Sequence, residues 1–232
     1  MRGATKIVVA GVIAVLLIGV GAYALLAAQA GDAPAPVAFA SDAGSASSSG
    51  TTLTAGTLEG NYAIDPSSSF VGYRVRERLA FLSAPNDAVG RTSDVTGSMD
   101  VQGTDVSNVE ATADLTTLQS DESMRDVRIQ TVGLQTDAFP EASFTLTSPI
   151  SFDGAPAEGE TVQADAQGSL TLHGVTRDVT VPVEAKWTSN GIQVIGSLDI
   201  TFADYDIDPP RFGPVNVGDD GTIEFRLVFV KT

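Results

Sequence analysis

From about Leu58 to the C-terminus apolar and polar residues alternate one for one, and this limits what the chain can fold into more than any other feature. Val162, Ala164, Ala166, Gly168, Leu170 and Leu172 alternate with Gln163, Asp165, Gln167, Ser169, Thr171 and His173. Val179, Val181, Val183, Ala185 and Trp187 then alternate with Asp178, Thr180, Pro182, Glu184 and Lys186. Successive side chains of a strand point to opposite faces, so each run predicts a strand with one buried and one solvated face. The pattern recurs in Ile192, Val194, Gly196, Leu198, Ile200 and Phe202, in Ile223, Phe225, Leu227 and Phe229, in Val71, Tyr73 and Val75, and in Phe144 and Leu146. Turns rich in glycine, asparagine and proline join these runs. The expected fold is an all-β antiparallel meander, and many one-faced strands must close on themselves or pack as two sheets.

One segment breaks the period. Ser120 to Leu134 begins with a capping residue and acids and spaces Met124, Val127 and Ile129 as a helix does, which predicts a short helical excursion able to cover a barrel end.

Ahead of the strands stand Ile7 to Ala28, 22 residues without a charge. As a helix they would span about 33 Å, the thickness of a bilayer's hydrocarbon core. Arg2 and Lys6 precede this run and Asp32 is the first charge after it, so the positive-inside bias places residues 1–6 in the cytoplasm and the rest outside. The expectation is a single-pass anchor at 7–28 in the cell membrane with an extracytoplasmic domain. The rival reading is a signal peptide cleaved at Ala28-Gln29-Ala30, which also exports the domain. Residues 29–57, rich in Ala, Gly, Ser, Thr and Pro, read as a flexible linker, and 58–232 as the folded domain.

All 29 acidic residues follow Gly31 in a chain of formal net charge −16, a surface that repels phosphate backbones and argues against nucleic acid as a partner. With no cysteine there is no disulfide, thiolate chemistry or cysteine-ligated zinc. The one histidine, His173, falls on the polar side of its run, pointing away from the apolar interior, and no G-x-S-x-G accompanies it. A structural role at the Gly174 turn outweighs an exported hydrolase built on His173. Asp204, Asp206 and Asp208 begin like a calcium loop, but Pro209 and Val215 stand where glycine and glutamate are required. No catalytic residue, metal ligand or cofactor is expected. Arg74, Arg76 and Arg78 share a strand face and suggest pairing with acids on neighbouring strands. Arg125 and Arg128 lie in the segment that could cover a barrel mouth, which makes them candidates for an anionic head group. The apolar faces themselves fit either a filled core, as in a surface interaction module, or a ligand cavity.

GNYAIDPSSSFVGYRV, the RD of MRDVRI followed by AFPEASFTLTS, GSLTLHGVTRDVTVPV, and RFG with VGDDGTIEFRLVF resemble, in order, the signatures of the YceI-like polyisoprenoid-binding family. The resemblance implies an extended antiparallel barrel, lipocalin-like in outline, in exported bacterial proteins. Its tunnel would hold a long-chain isoprenoid, such as a quinone or polyprenyl lipid, or a related amphipathic lipid. It makes Val71, Tyr73, Val75, Phe144, Leu146, Leu170, Leu172, Val179, Val181, Trp187, Ile192, Val194, Leu198, Phe225 and Leu227 the expected tunnel lining. A homodimer is a further expected association. Two places depart from the family pattern: Arg128 stands where a histidine commonly follows the RD pair, and the usual aromatic pair is reduced to Phe139.

Overall fold

The computed structural model describes residues 33–40, 58–79, 86–209, 211–212 and 215–232. Residues 1–6, the expected anchor 7–28 and most of the expected linker lie outside the described residues. Among the described residues no helix is long and apolar enough to cross a membrane.

The strands in chain order are β1 (Gly60–Ile64), β2 (Phe70–Leu79), β3 (Asn86–Thr92), β4 (Val95–Gln102), β5 (Asp105–Asp114), β6 (Gln119–Ser120), β7 (Glu141–Leu146), β8 (Ile150–Ser151), β9 (Thr161–Leu172), β10 (Val175–Thr188), β11 (Gly191–Thr201), β12 (Arg211–Phe212), β13 (Val215–Val217) and β14 (Asp220–Lys231). Among the described residues a single α-helix, α1 (Ser123–Arg128), interrupts them, begun by the Glu122 carboxylate accepting from the Met124 N–H and continued by a wider turn over Ile129–Gly133. The expected helical excursion is there, over residues 123–133.

Eight of these strands close a barrel in the order β1, β4, β5, β7, β9, β10, β11 and β14, and β14 returns to β1 through Tyr62 opposite Lys231 and Ile64 opposite Phe229. Every pairing is antiparallel. The first half of β14 pairs instead with β2, with Phe225 opposite Val71 and Thr222 opposite Arg74. β1 and β2 are thus one line along β14, broken at residues 65–69. Asp65 N–H donates to the Val228 carbonyl there, and Ser69 Oγ accepts from Val228 N–H. The Ser67 and Ser68 hydroxyls donate to the Asp65 carboxylate and hold it below its ordinary value.

At the end formed by β2, β3 and β6 the sheet does not close by pairing, since β6 pairs only with β3. Leu115 and Leu118, carried on a tight turn capped by Asp114, fill that end together with Leu172, Tyr205 and Ile207. A second cluster of Leu58, Tyr62, Ile64, Val95, Met99, Val101, Leu227 and Phe229 occupies the other half of the barrel.

Residues 34–40, inside the stretch expected to be a spacer, are held against the outer wall. Arg74 donates to the Pro34 carbonyl at 2.8 Å and Arg91 to the Ala35 carbonyl at 3.2 Å. Ala40 N–H donates to Gln193 Oε1 at 3.2 Å, and the Lys186 ammonium sits 5.4 Å from the Phe39 ring centre. This strap crosses from β2 and β3 to β11 and β10. Outward-facing Glu224, Val228 and Gln193 are all buried along its course. Glu224 binds Arg74 and lies 3.5 Å from Arg91, and this contact raises the Arg74 guanidinium further above its ordinary value. The expected pairing of the β2 arginines with acids is therefore present for Arg74, and Arg76 reaches Asp87 at 3.8 Å. Backbone amides of residues 34–40 are expected to exchange more slowly than those of an unstructured linker. In an Arg74→Ala, Arg91→Ala variant they should exchange at the free rate, as hydrogen exchange read by mass spectrometry can check.

Candidate binding cavity

Inside the barrel lies a cavity of about 220 Å³ whose walls come from β2, β4, β5, β7, β9, β10, β11 and β14. Its lining includes Val71, Val95, Met99, Val101, Phe144, Leu146, Leu170, Val181, Trp187, Ile192, Val194, Leu198, Phe225, Leu227 and Phe229, and not one lining side chain carries a charge. One end is bounded by Leu58, the Gly103-Thr104 turn, Phe152 and residues 154–156. At the other end Leu170, Leu198 and Ile223 belong both to the cavity and to the cluster around Leu115, Leu118 and Tyr205. The tunnel has a floor.

Alternation alone does not create the space; glycine does part of it. A Cβ on Gly168 would come within 2.3 Å of the Phe144 ring, and one on Gly196 within 2.5 Å of the Phe225 ring. Both glycines sit in the inward register of their strands, so each lets an aromatic ring lie flat across the neighbouring strand.

Of the expected lining residues, Val71, Phe144, Leu146, Leu170, Val181, Trp187, Ile192, Val194, Leu198, Phe225 and Leu227 lie on the cavity. Tyr73, Leu172 and Val179 do not: they face inward but pack in the floor cluster, below the cavity. Val75 lies further along, within reach of Gly221 and Phe202. All four lie off this cavity for one reason. Periodicity reports which face is apolar but not where along the strand the interior is filled. Burial pushes the Tyr73 hydroxyl well above its ordinary value, with Arg125 acting in the opposite sense.

The cavity also uses residues absent from the expected lining. Val95, Met99 and Val101 on β4 follow a plain period of two and could have been read. On β5 the inward residues are Val106 and then Val109, Ala111 and Ala113, a change of phase. The register slips beside Ser98 and Asp100, with Asn108 at φ 51° and its side chain donating to Asp100 at 2.8 Å. A bulge of this kind moves the inward positions from even to odd, which hides the strand from a periodicity count.

Arg125 and Arg128 are not on the cavity. Arg125 is bound to Glu77 at 3.2 Å and to Asp121; burial disfavours its charge, and these two carboxylates outweigh that and raise it. Glu77 is six residues along β2 from Val71, roughly 20 Å at the rise of a strand, on the floor side. A head group held at the Gly103 and Pro156 end, opposite the floor, would not meet α1.

His173 is buried, not solvated as the alternation suggested. The strand stops at Leu172, and His173 (φ 51°) with Gly174 (φ 75°) form the two-residue turn that pairs Leu172 with Val175. Its Nδ1–H donates to the Tyr205 carbonyl at 3.1 Å and its ring lies 4.3 Å from that of Phe139. The histidine thereby fastens the β9–β10 turn to the floor. Asp204, Asp206 and Asp208 are exposed, and among the described residues no group of three or more His, Asp or Glu could hold a metal.

The family model for the YceI-like domain matches residues 62–229. The chain belongs to the YceI-like family. A YceI-like fold is also what its solved neighbours show. A polyisoprenoid-binding domain from Saccharophagus degradans implicated in plant cell wall breakdown is 18% identical, with a TM-score of 0.57 over 74% of this chain and 98% of that one. Burkholderia cenocepacia BcnA is 19% identical, with a TM-score of 0.56 over 71% of this chain and 98% of its own. No curated protein matches the sequence. The YceI-like region leaves out the strap, which lies before residue 62.

Proposed function

We propose that this YceI-like barrel binds one isoprenoid-type lipid and carries or sequesters it outside the cytoplasm, tethered to the cell membrane through residues 7–28, without catalysing a reaction. The observation that carries this reading is the uncharged lining of the cavity. An ion placed there would lack any partner, whereas a hydrocarbon gains about 0.8 kcal/mol per buried CH₂ before ordering and association costs. The Saccharophagus domain, described as polyisoprenoid-binding, supports the choice of tail.

An uncharged head, as in a quinone or a polyprenol, suits the Gly103 and Pro156 end better than a phosphate. Asp105 adjoins Thr104, Asp153 adjoins Gly154, Glu158 and Glu160 follow Pro156, and Glu59 accepts from Gly103 N–H at 3.2 Å. These carboxylates repel an anion.

The test is native mass spectrometry of the purified protein, followed by organic extraction. One bound hydrophobic molecule per barrel, removed by extraction, is the expected result; a bare mass under gentle conditions and an empty extract would sink the reading. For the tether, the full chain is expected to stay with membranes after carbonate washing and to keep its N-terminus. Recovery of a soluble chain starting at Gly31 would replace the anchor with a cleaved leader.

A further inference from the structure

We infer that the floor of the cavity is a chain-length ruler, so that this protein takes up only about four isoprene units of its ligand however long the lipid is. The inference rests on the lipid-binding reading above and adds which lipids that reading admits.

Ile223 to Phe229 are the extremes of the lining on β14, and Val162 to Leu170 those on β9. Six to eight strand residues at a tilt of ~35–45° span roughly 15–20 Å of barrel axis, the length of about four extended isoprene units. The volume sets an upper limit in the same direction: about 220 Å³ is less than the ~300–1,000 Å³ of sites that swallow a drug-sized ligand whole, so only part of a long lipid fits.

Below Leu170 and Ile223 the barrel continues, but it is filled. Leu115, Leu118, Leu172, Tyr205 and Ile207 are each under one-tenth exposed. Their backbone is tied down on several sides: Leu115 N–H donates to Pro140 at 2.7 Å, Ile207 N–H to Phe202 at 3.0 Å, and His173 to Tyr205 at 3.1 Å. A plug held by main-chain hydrogen bonds at Leu115 and Ile207 and by the His173 side chain on Tyr205 does not give way as a loose side chain would. Further units of a longer lipid have to remain outside, at the Gly103 and Pro156 end.

The full chain in detergent solution is titrated with prenyl alcohols of two, three, four, six and eight units. The reporter is quenching of Trp187, the chain's one tryptophan, which lies on the cavity wall. Affinity is expected to rise at least about tenfold per unit up to four, and to change by less than about threefold from four to eight. Ala166→Leu, which fills the lumen above the floor, should bring the plateau down to three units or fewer. Leu118→Ala with Leu172→Ala should lift it to six. Because that double variant weakens the core, Ala166→Leu carries the decision if it fails to fold. Affinity climbing steadily to eight units, or a plateau unmoved by Ala166→Leu, would overturn the ruler. If no alcohol of any length binds, the lipid-binding reading itself fails and the ruler with it.

Discussion

Val181→Asp is expected to empty the barrel. Val181 is 5% exposed, sits opposite Ala166 on β9 and lines the cavity between walls without a counter-charge. An unpaired carboxylate there costs several kcal/mol whether it stays ionised or takes up a proton. A bound tail would worsen its desolvation. Lipid recovered with the protein should fall below about a hundredth of the wild-type amount, a loss of ~3 kcal/mol in binding or more. Thr180→Asp, one residue earlier and on the exposed face of the same strand, should leave lipid content unchanged. Circular dichroism separates emptying from unfolding. A folded Val181→Asp protein carrying its full lipid would show that the cavity is not where the lipid sits.

The second large effect lies on the opposite face of the wall. Glu224 is 3% exposed although it points outward, and it binds Arg74 and Arg91, which in turn hold the carbonyls of Pro34 and Ala35. Removing one member of a buried ion cluster leaves the others with uncompensated charge, a loss of about 3–5 kcal/mol. For a barrel of this size Glu224→Ala should lower the melting temperature by on the order of 10 °C. Lipid binding at 25 °C should persist, because the neighbouring cavity residues Ile223 and Phe225 are untouched. Calorimetry decides: a shift of less than about 2 °C would mean that solvent already screens the cluster.

Between these two faces the register of β14 is the common element. Ile223, Phe225, Leu227 and Phe229 look inward while Glu224, Arg226 and Val228 look outward, and a one-residue slip would exchange the sets. Phe70 shows how far the outer face is from a bare surface: its ring lies 4.3 Å from the Arg91 guanidinium and 5.0 Å from that of Arg226. Val228 and Gln193 look solvated when read by alternation. For Gln193 the fold supplies the partner of the buried side chain, the N–H of Ala40, twenty residues ahead of β1.

What the sequence by itself determined is the faces of the regularly alternating strands. Side-chain period two is a local property of extended backbone, so β2, β7, β9, β10, β11 and β14 could be assigned their inward residues without knowing their neighbours. The turn at His173-Gly174 and the helical break near Met124 are local for the same reason. Tertiary structure alone decided where the inward space is empty and where it is filled. Leu172 and Leu170 are indistinguishable by pattern. Yet Leu170 meets the cavity while Leu172 meets only Leu118, Tyr205 and their neighbours in the floor, which come from distant parts of the chain. The same holds for Arg125, whose charge looked available until the fold brought Glu77 to it. It holds for the phase change at Asn108, which exists because β4 and β5 pair out of step there. Facing inward is written in single strands. Lining a cavity is settled by which long-range partners fill the interior beside it.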